Sequence, residues 1–390
     1  MCGVVGIVAD HEVIDELRAS SQKMFHRAHQ SAGIVTHDGA FCHMVKGLGS
    51  LTDILTEKNL EHLPGKCGVV HVRWATAGEN NTANIHPITG IFRGEEFHIV
   101  HNGEISQRKE LEEQYHSYQP EITSDTKLIA ALIEHSSKTI FEEALRDALA
   151  QIRGTYSLIV MHKNILYAVR DITGNRPLFV GYKKGLIAIV SETLAFRAIK
   201  IDPKTAREIE PGEMVIVSGN TLSLERASFQ APPNIPKQLK FCTIEAAYQM
   251  HPASFVQGRT IEMIRRNLGA ALARIWTPQA DIITGVPDSG VAAGQGFSTE
   301  SRIPYEQAIS RYHQADRVFF EGFLARMKGE SYEFKYDPTE ELIKGKRVVL
   351  IDDTLFAGDS ILRVALVCLA SGAEEIHIGI PSPMIDTSCF

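Results

Sequence analysis

The sequence lacks cysteine pairs, long apolar runs and an excess of positive charge. Its six cysteines are scattered without a Cys-x-x-Cys motif, which argues against a zinc ribbon or a disulfide framework and predicts reduced thiols in the cytoplasm. No apolar run reaches the ~18–20 residues that a membrane span requires. The apolar N-terminus follows no basic segment, so we expect no signal peptide. The net charge is −7 and no basic stripe is visible, so we expect no nucleic-acid binding.

Length and composition indicate a soluble enzyme with more than one domain. The 390 residues predict two or three domains, at ~150 residues each. Hydrophobic residues make up 44% of the chain and charged residues 22%, as in ordinary globular proteins. The 30 glycines and 16 prolines are far too few for a collagen-like or low-complexity chain. We therefore expect packed cores.

Residues 1–230 are rich in short strand-like runs that have β-branched side chains and turn residues at their borders. Such runs predict stacked antiparallel sheets. The predicted strands are Cys2–Val8, Cys67–Val72, Phe97–Val100, Thr155–His162, Ile165–Arg170, Leu186–Val190 and Glu213–Val217. Helical periodicity predicts helices at Ile14–Phe25, Lys127–Glu134 and Thr139–Gln151.

A proline-rich stretch separates two halves of different character. Residues 230–240 hold three prolines within five positions and are predicted to be a linker. Beyond it, Asp281–Pro287 and Lys346–Asp352 are apolar without alternation, as expected of parallel strands buried on both faces. A helix with a C-terminal cap at Gly372 is predicted to follow. The predicted buried face of this helix consists of Leu362, Ala365, Leu366 and Leu369. The next strand is predicted at Ile376–Ile380. These residues, 241–390, predict a doubly wound α/β domain.

Cys2 is the first residue that points to chemistry. An initiator methionine is normally removed before a small residue, which leaves Cys2 at the N-terminus. A free α-amino group has a pKa near ~7.7–8.0, so it can serve as the base for its own thiol. The alternative is a buried cysteine in the first strand, and position alone does not decide between the two.

Three further motifs suit a site that hydrolyses glutamine. Arg73 follows one strand, Asn102-Gly103 follows another, and Ser124-Asp125 opens a helix. An Asn amide and a Gly backbone N–H can stabilise an acyl-transfer oxyanion. An arginine binds the carboxylate of an amino acid, and an acid binds its ammonium group. Each motif also has a structural interpretation, because Asn-Gly is a common turn and Ser-Asp a common helix cap.

The order and spacing of these motifs resemble the class II glutamine amidotransferase domain. The matching segments are Met-Cys-Gly-Val-Val-Gly, His-Val-Arg-Trp-Ala-Thr-Ala-Gly, His-Asn-Gly and Ser-Asp-Thr. The resemblance implies an N-terminal-nucleophile (Ntn) hydrolase fold, which is an αββα sandwich. It also implies roles for individual residues: Cys2 as nucleophile, Asn102 and Gly103 as oxyanion hole, and Arg73, Thr76 and Asp125 as glutamine ligands.

The second half carries a phosphate-binding pattern. Asp352 and Asp353 end an apolar run and precede a short loop and a helix start at Gly358-Asp359-Ser360. Backbone N–H groups at a helix N-terminus bind phosphate, and adjacent carboxylates can bind ribose hydroxyls or Mg²⁺. The alternative is an acidic strand-to-helix turn without a ligand. The segment resembles the phosphoribosyl-diphosphate (PRPP) motif of type I phosphoribosyltransferases.

A second signature, Val286-Pro287-Asp288-Ser289-Gly290, resembles the pyrophosphate loop of amidophosphoribosyltransferases. The similarity then spans nearly the whole chain, with residues 1–230 as the glutaminase domain and 241–390 as the phosphoribosyltransferase domain. It implies that ammonia from glutamine is transferred to PRPP to give 5-phosphoribosylamine, the first step of purine synthesis. The implied PRPP ligands are Asp288, Ser289, Gly290, Thr354, Gly358, Asp359 and Ser360, and the implied Mg²⁺ ligands are Ser289, Asp352 and Asp353.

The resemblance also sets expectations for cofactors and partners. Cys242 and Cys389 lie where some family members have iron–sulfur ligands, but two cysteines cannot hold a four-ligand cluster. We therefore expect Mg²⁺ with PRPP and no iron–sulfur cluster. Glutamine and PRPP are the expected small-molecule partners of a cytoplasmic homo-oligomer.

The phosphoribosyl half departs from the family pattern in three places. Ala357 stands where the family has an arginine, Asp359 replaces a threonine, and residues 308–324 lack the usual lysine. An alternative therefore stays open: a divergent paralogue that aminates another phosphorylated sugar, or one with a weakened synthase site and a retained glutaminase.

Two other interpretations fit less well. The motif around Trp74 also resembles that of glucosamine-6-phosphate synthase. That enzyme, however, would carry two sugar-isomerase domains in a longer chain. A regulatory or scaffolding paralogue without activity is opposed by the intact Cys2, Asn102, Gly103 and Asp125.

Overall fold

The N-terminal unit is built on two antiparallel β-sheets. The computed structural model describes residues 2–74, 82–115, 123–230, 237–311 and 336–384. The strands of the first sheet are β1 (Gly3–Ala9), β2 (Ser31–His37), β3 (Cys42–Leu48), β4 (Cys67–Arg73), β9 (Phe179–Lys183), β10 (Leu186–Val190) and β11 (Arg207–Glu208). Their spatial order is β11-β9-β10-β1-β4-β2-β3, so β1 lies in the middle of the sheet.

The second sheet lies on the other side of a shared core. Its strands are β5 (Ile88–Phe92), β6 (Glu95–Ile105), β7 (Gly154–His162), β8 (Ile165–Arg170), β12 (Glu213–Ser218) and β13 (Ser223–Ser228), in the order β13-β12-β8-β7-β6-β5. Alternate side chains of the two sheets meet between them, including the fully buried Val4, Val8, Val100, Ile159 and Leu166. This alternation follows from the two-residue period of a strand.

Helices cover the outer faces of both sheets. The helices of this unit are α1 (Ile14–Gln22), α2 (Leu51–Ile54), α3 (Glu57–Leu60), α4 (Arg108–Tyr115), α5 (Asp125–Glu134), α6 (Phe141–Gln151) and α7 (Leu194–Ala198), with a 3₁₀ turn at Thr82–Asn84. Helices α1 and α7 pack on the first sheet, while α5 and α6 bury Leu128, Ile129, Leu145 and Leu149 against the second. The layers are therefore αββα, which confirms the predicted sandwich.

The second unit has a parallel sheet. Its strands β16 (Ile282–Gly285), β19 (Arg347–Ile351) and β20 (Glu375–Gly379) lie side by side in that order. The helices are α8 (Ile261–Ile275), α9 (Gly290–Ser301), α10 (Glu340–Ile343) and α11 (Asp359–Ala370), with a π-helix at Glu245–Gln249. Short antiparallel pairs are formed by β14 (Phe255–Val256) with β15 (Arg259–Thr260), and by β17 (Ile309–Arg311) with β18 (Tyr336–Pro338). A parallel sheet with intervening helices confirms the predicted α/β class.

Helix α11 corrects one prediction and bears out another. Its buried residues are Ile361, Val364, Ala365 and Cys368, whereas Leu362, Leu366 and Leu369 are each about half exposed. The leucine spacing therefore marked the wrong face, because small and β-branched side chains pack against the sheet instead. Gly372 has φ of 93° and follows the helix in a Schellman cap, with Ala373 N–H donating to Cys368 O at 3.1 Å.

The division between the units is more complex than a single linker. The first unit contains the residues up to Cys242 and also Gln249–Gly258, while the second contains Thr243–Tyr248 and the residues from Arg259. Six residues of the predicted linker, 231–236, lie outside the described part of the chain, so the boundary at 230–240 stays a prediction. Among the described residues, the helices are too short or too polar to cross a membrane.

Candidate active sites

Cys2 lies at the start of β1, beside the end of β4 and beside Asn102 on β6. It immediately precedes β1, and β1 pairs with β4, which ends at Arg73. The Cys2 backbone N–H donates to Asn102 Oδ1 at 3.2 Å, and its Sγ lies 3.6 Å from Trp74 O. The packing of the two sheets therefore brings the predicted nucleophile beside the predicted oxyanion residue, although they are 100 residues apart in sequence.

Asn102 and Gly103, the predicted oxyanion residues, are neighbours on β6. Asn102 is buried, and its Nδ2 has no hydrogen-bond partner within the described ranges. A buried donor without a partner costs about 1–3 kcal/mol, so its retention suggests a ligand. A Cβ at position 103 would lie 2.1 Å from Thr155 O, so only glycine allows β6 and β7 to approach this closely.

The two charged residues predicted to bind glutamine lie near this point. Asp125 begins α5, is buried, and accepts the backbone N–H of Ile105 at 2.9 Å. Arg108 lies 3.6 Å from its other oxygen. Arg73 is also buried, and desolvation lowers the pKa of its guanidinium. Thr76, the third predicted ligand, lies outside the described residues.

Three buried histidines behind the site were not predicted from the sequence. In this imidazole cluster (His71, His86 and His101), the His71 ring stacks on the His86 ring with centroids 4.2 Å apart. His71 Nε2 donates to His101 O at 2.9 Å. The Thr126 hydroxyl lies 2.7 Å from His86 Nε2 and 3.1 Å from His101 Nδ1. Thr126, which follows Asp125, is thereby hydrogen-bonded to His101, which precedes Asn102.

Burial keeps these rings neutral. Desolvation lowers the pKa of His71 and of His101 to about 3, and it lowers the pKa of His86 well below its usual range. A neutral imidazole is both a donor and an acceptor, which suits a hydrogen-bonded network. A histidine within a strand motif gives no sequence signal of such a cluster, because its partners come from other strands.

A buried ion pair holds the backbone of Cys2. Arg27 Nε donates to Cys2 O at 2.7 Å, and its guanidinium pairs with Glu192 at 2.5 Å. Glu192 also accepts from His26 and from the Ser254 hydroxyl at 2.8 and 2.6 Å. The neighbouring Ser191 Oγ accepts the Val4 N–H at 3.0 Å, so Ser191 and Glu192 both hold the start of β1 in place.

The predicted phosphoribosyl residues meet at the carboxyl ends of two parallel strands. Because Gly285 on β16 pairs with Ile351 on β19, the segments that follow them leave the sheet side by side. The Ser289 hydroxyl bonds the carboxylate of Asp353. A Cβ on Gly290 would lie 2.4 Å from Ile351 O, so glycine is needed where α9 begins. Asp288 is more exposed and pairs with Arg311.

The remaining predicted ligands lie between β19 and α11. Thr354 Oγ1 donates to Asp353 Oδ1 at 2.6 Å. Gly358 has φ of 84° and precedes the helix, whose first residues are Asp359 and Ser360. The positive end of the helix dipole therefore lies at this loop, although Asp359 adds a negative charge there.

The acidic residues fit a magnesium ion. Mg²⁺ prefers hard oxygen ligands, and Ser289, Asp352 and Asp353 offer a hydroxyl and two carboxylates. Burial raises the pKa of Asp353, and hydrogen bonds from Ser289 and Thr354 oppose this shift. Burial also raises the pKa of Tyr336 to about 12, and the charges of Asp352, Asp353 and Asp288 add to this shift. Negative charge is therefore concentrated at these strand ends.

Comparisons with known proteins agree with this arrangement. A family model described as a glutamine amidotransferase domain matches residues 71–198. The chloroplastic amidophosphoribosyltransferase of Vigna aconitifolia is 34% identical over 396 residues, which cover all of this chain and 79% of the relative. Amidophosphoribosyltransferase of Bacillus subtilis (strain 168) is 31% identical over 394 residues, which cover all of this chain and 80% of the relative.

A solved structure extends the similarity to the fold. Glutamine PRPP amidotransferase from B. subtilis, complexed with ADP and GMP, has a TM-score of 0.89 and 29% sequence identity, and the match covers all of this chain and 83% of that one. Fold and site together define a class II glutamine amidotransferase unit joined to a type I phosphoribosyltransferase unit. The chain belongs to the amidophosphoribosyltransferase family.

Proposed function

We propose that this protein hydrolyses glutamine at Cys2 and transfers the ammonia to PRPP, giving 5-phosphoribosylamine at the first step of purine synthesis. The observation that carries the proposal is the contact between Cys2 and Asn102, whose Nδ2 is buried without a partner in the described part of the chain. The relatives named amidophosphoribosyltransferase support the same activity. They give no support to the alternative of a paralogue with another acceptor.

In the first step, removal of Met1 leaves the amino group of Cys2 free to accept the thiol proton. The Sγ atom attacks the side-chain amide carbon of glutamine, and Asn102 Nδ2 and Gly103 N–H stabilise the oxyanion. Breaking the C–N bond returns the proton to the leaving ammonia and forms a thioester. Water then hydrolyses the thioester, which releases glutamate and restores Cys2.

Recognition of glutamine requires opposite charges at its two α-substituents. We assign Arg73 to the α-carboxylate and Asp125 to the α-ammonium group. Both side chains are buried, so each charge acts in a low-dielectric site where its electrostatic effect is strong. Thr76 remains a proposed glutamine ligand.

The second step is the reaction of ammonia with PRPP, and we assign it to the site around Asp352 and Asp353, which follow β19. We propose that Asp352 and Asp353 bind the ribose hydroxyls of PRPP and that the loop from Thr354 to Ser360 binds its 5′-phosphate. Asp288, Ser289 and Gly290 form the proposed pyrophosphate loop. Ammonia attacks C1 of the ribose and the diphosphate leaves. Bound Mg²⁺, held by Ser289, Asp352 and Asp353, would neutralise charge on that leaving group.

The test is a glutaminase assay with and without PRPP and Mg²⁺, with the product mass determined. We expect glutamate and a phosphoribosylamine product from the unmodified protein. Cys2→Ala should abolish glutamine hydrolysis but keep the reaction with free ammonia, whereas Asp353→Ala should do the reverse. Glutamine turnover by Cys2→Ala at the normal rate would refute the assignment of the nucleophile.

Three expectations remain predictions of this proposal. They are the cytoplasmic location, the homo-oligomeric state and the use of Mg²⁺ without an iron–sulfur cluster. Chelation by EDTA should stop the PRPP reaction but leave basal glutaminase activity. Iron analysis of protein purified without oxygen would contradict the last expectation if it found about four irons per chain, as in a [4Fe–4S] cluster.

A further inference from the structure

Three possible metal ligands converge at one edge of the β-sandwich, within the N-terminal unit. Cys42 Sγ, a Glu96 carboxylate oxygen and a His98 ring nitrogen all lie within 4.8 Å of one another. Cys42 begins β3, the edge strand of the first sheet, and the other two residues lie on β6 of the second sheet. None of them takes part in the proposed glutaminase or phosphoribosyl chemistry.

Strand register explains why the three side chains meet. Glu96 and His98 are two residues apart on β6, so they project from the same face, as does the inter-sheet core residue Val100. Cys42 pairs with His37, and His37 also pairs with the core residue Cys67. Directly paired residues share a face, so Cys42 also points between the sheets.

His98 has the orientation of a metal ligand. The residue is 1% exposed, and its Nε2 is buried without a hydrogen-bond partner among the described residues. Its Nδ1 lies 3.1 Å from Thr89 Oγ1. The tautomer protonated at Nδ1 donates to this hydroxyl and leaves the Nε2 lone pair free. Such an outer hydrogen bond is what fixes a ligating histidine in metalloproteins.

We propose that Cys42, Glu96 and His98 bind one divalent cation of the zinc type, with water as the fourth ligand. Thiolate, imidazole and carboxylate form a mixed sulfur, nitrogen and oxygen set, which suits Zn²⁺ rather than Mg²⁺ or Ca²⁺. Tetrahedral zinc places its ligand atoms roughly 3.3–3.8 Å apart. His98 Nε2 and Glu96 Oε2 are already 3.8 Å apart, and the Glu96 side chain is 58% exposed and free to adjust.

The surrounding charges favour a cation, with one exception. The carboxylates of Glu96 and Asp38 place negative charge near Cys42 Sγ. The thiol proton leaves for solvent when the Sγ–metal bond forms, and no electron is transferred. Lys46 opposes the cation, since its positive charge acts on His98. Lys46 Nζ donates to the carbonyls of Ile85 and Pro87, at 3.0 and 2.9 Å.

Such a cation would join β3, the edge strand of the first sheet, to β6 of the second sheet. It would also act on β6, the strand that carries Asn102, four residues beyond His98. The proposal therefore predicts a zinc-dependent gain in stability that does not depend on glutamine or PRPP. Ligand binding to the folded state alone raises stability by mass action.

The experiment is a titration of the full chain with Co²⁺, a spectroscopic substitute for Zn²⁺, followed by competition with Zn²⁺. The parent carries Cys2→Ala, so that the nucleophile cannot bind the metal. We expect one equivalent to bind with thiolate-to-cobalt charge-transfer absorption, and Zn²⁺ to raise the melting temperature. Cys42→Ser should lose the absorption. Glu96→Gln, at an exposed position, should weaken binding at least as much as the roughly 10–100-fold loss typical of outer-shell partners.

His43→Gln is the matched control. His43 follows Cys42 on β3 but bonds the exposed Asp38 at 2.8 Å, so its loss should leave the absorption and affinity unchanged. Retention of the charge-transfer absorption in Cys42→Ser would overturn the proposal, because another thiol would then be the ligand. So would a parent protein that binds no stoichiometric metal, or an affinity unchanged by Glu96→Gln.

Discussion

At the scale of single residues, the side chain of Asn102 has two hydrogen-bonding ends that face different groups. Its Oδ1 accepts from the backbone of Cys2, which leaves Nδ2 directed at a position without a protein partner in the described ranges. The same residue therefore holds the nucleophile and presents a donor. This arrangement fits the oxyanion role that we propose, and an ordinary Asn-Gly turn does not require it.

Asn102→Ala removes the donor and should lower kcat for glutamine hydrolysis by about 10²–10³-fold, as for other oxyanion-hole donors. The KM for glutamine should change much less, because the oxyanion forms only after binding. Steady-state kinetics with glutamate detection measures both values. A mutant that loses only affinity would instead show that Asn102 binds the substrate.

Thr126 is a second residue whose role depends on two partners. Thr126→Val keeps the shape but leaves His86 Nε2 and His101 Nδ1 without their hydroxyl partner, which should cost about 1–3 kcal/mol of folding stability. Because Thr126 adjoins Asp125 and His101 adjoins Asn102, kcat for glutamine should also fall. Denaturant unfolding and kinetics measure the two effects.

Thr126→Ser is the control, since it keeps the hydroxyl and should retain kcat. A purely structural role would lower stability in Thr126→Val without changing kcat. Equal kcat values for the valine and serine variants would therefore show that the Thr126 hydroxyl does not position the catalytic residues.

At the scale of elements, helices α8 and α9 touch through glycines. A Cβ on Gly269 of α8 would lie 1.8 Å from Ala293 O of α9, and one on Gly296 would lie 1.9 Å from Arg266 O. Glycine is usually unfavourable within a helix, by about 1 kcal/mol relative to alanine. Its presence here shows that close packing outweighs propensity.

Gly269→Ala should therefore destabilise the second unit, although alanine is the better helix former. Overpacking of this kind typically costs about 1–3 kcal/mol. Asn267→Ala, at an exposed position of the same helix, should be neutral or stabilising. Urea unfolding measures the stability of both variants. A Gly269→Ala variant more stable than the unmodified protein would contradict the observed packing.

The loop before α11 contains Ala357, where the family has an arginine, and a substitution there tests the effect of that missing charge. Ala357 is exposed, so an arginine there meets no packing barrier. One charge-assisted bond to phosphate is worth roughly 1.5–3 kcal/mol, so Ala357→Arg should lower the KM for PRPP by about ten- to a hundredfold. Ala357→Gln is the uncharged control. An unchanged KM would show that other residues already supply the charge.

At the scale of the whole molecule, buried histidines connect stability to pH. The folded-state pKa values of His71 and His101 are lowered to about 3 and that of His98 to about 4, all by burial. An unfolded histidine takes up its proton near pH 6.5. Stability is therefore full above pH 6.5 and is lost as the pH falls towards these folded-state values.

Unfolding free energy should accordingly fall between pH 7 and pH 5, by up to about 1.4 kcal/mol per pH unit for each histidine that stays neutral. Glu192, whose pKa is lowered by His26 and Arg27 against the effect of burial, adds a loss below pH 4.5. Urea unfolding at several pH values measures the slope. A stability independent of pH from 7 to 5 would show that these rings bind protons equally in the folded and unfolded states.

Strand and helix periodicities predicted the stacked antiparallel sheets and the parallel sheet, because periodicity is a local property of the sequence. The αββα layer order and the family came from the resemblance of the motifs. The sequence also marked Cys2, Asn102 and Asp125 as candidate site residues, because they lie in motifs of fixed spacing. The strands that it missed include β2 and β3, whose glycines and polar residues obscure their periodicity, and it chose the wrong face of α11.

Only the tertiary structure showed the imidazole cluster, the pairing of Arg27 with Glu192 behind Cys2, and the meeting of Cys42 with His98. Each joins residues from strands or helices far apart in the chain, and antiparallel register determines which side chains share a face. Burial then sets their protonation, because desolvation depends on every element packed around a group. Neither register nor burial is encoded by any single segment of the sequence.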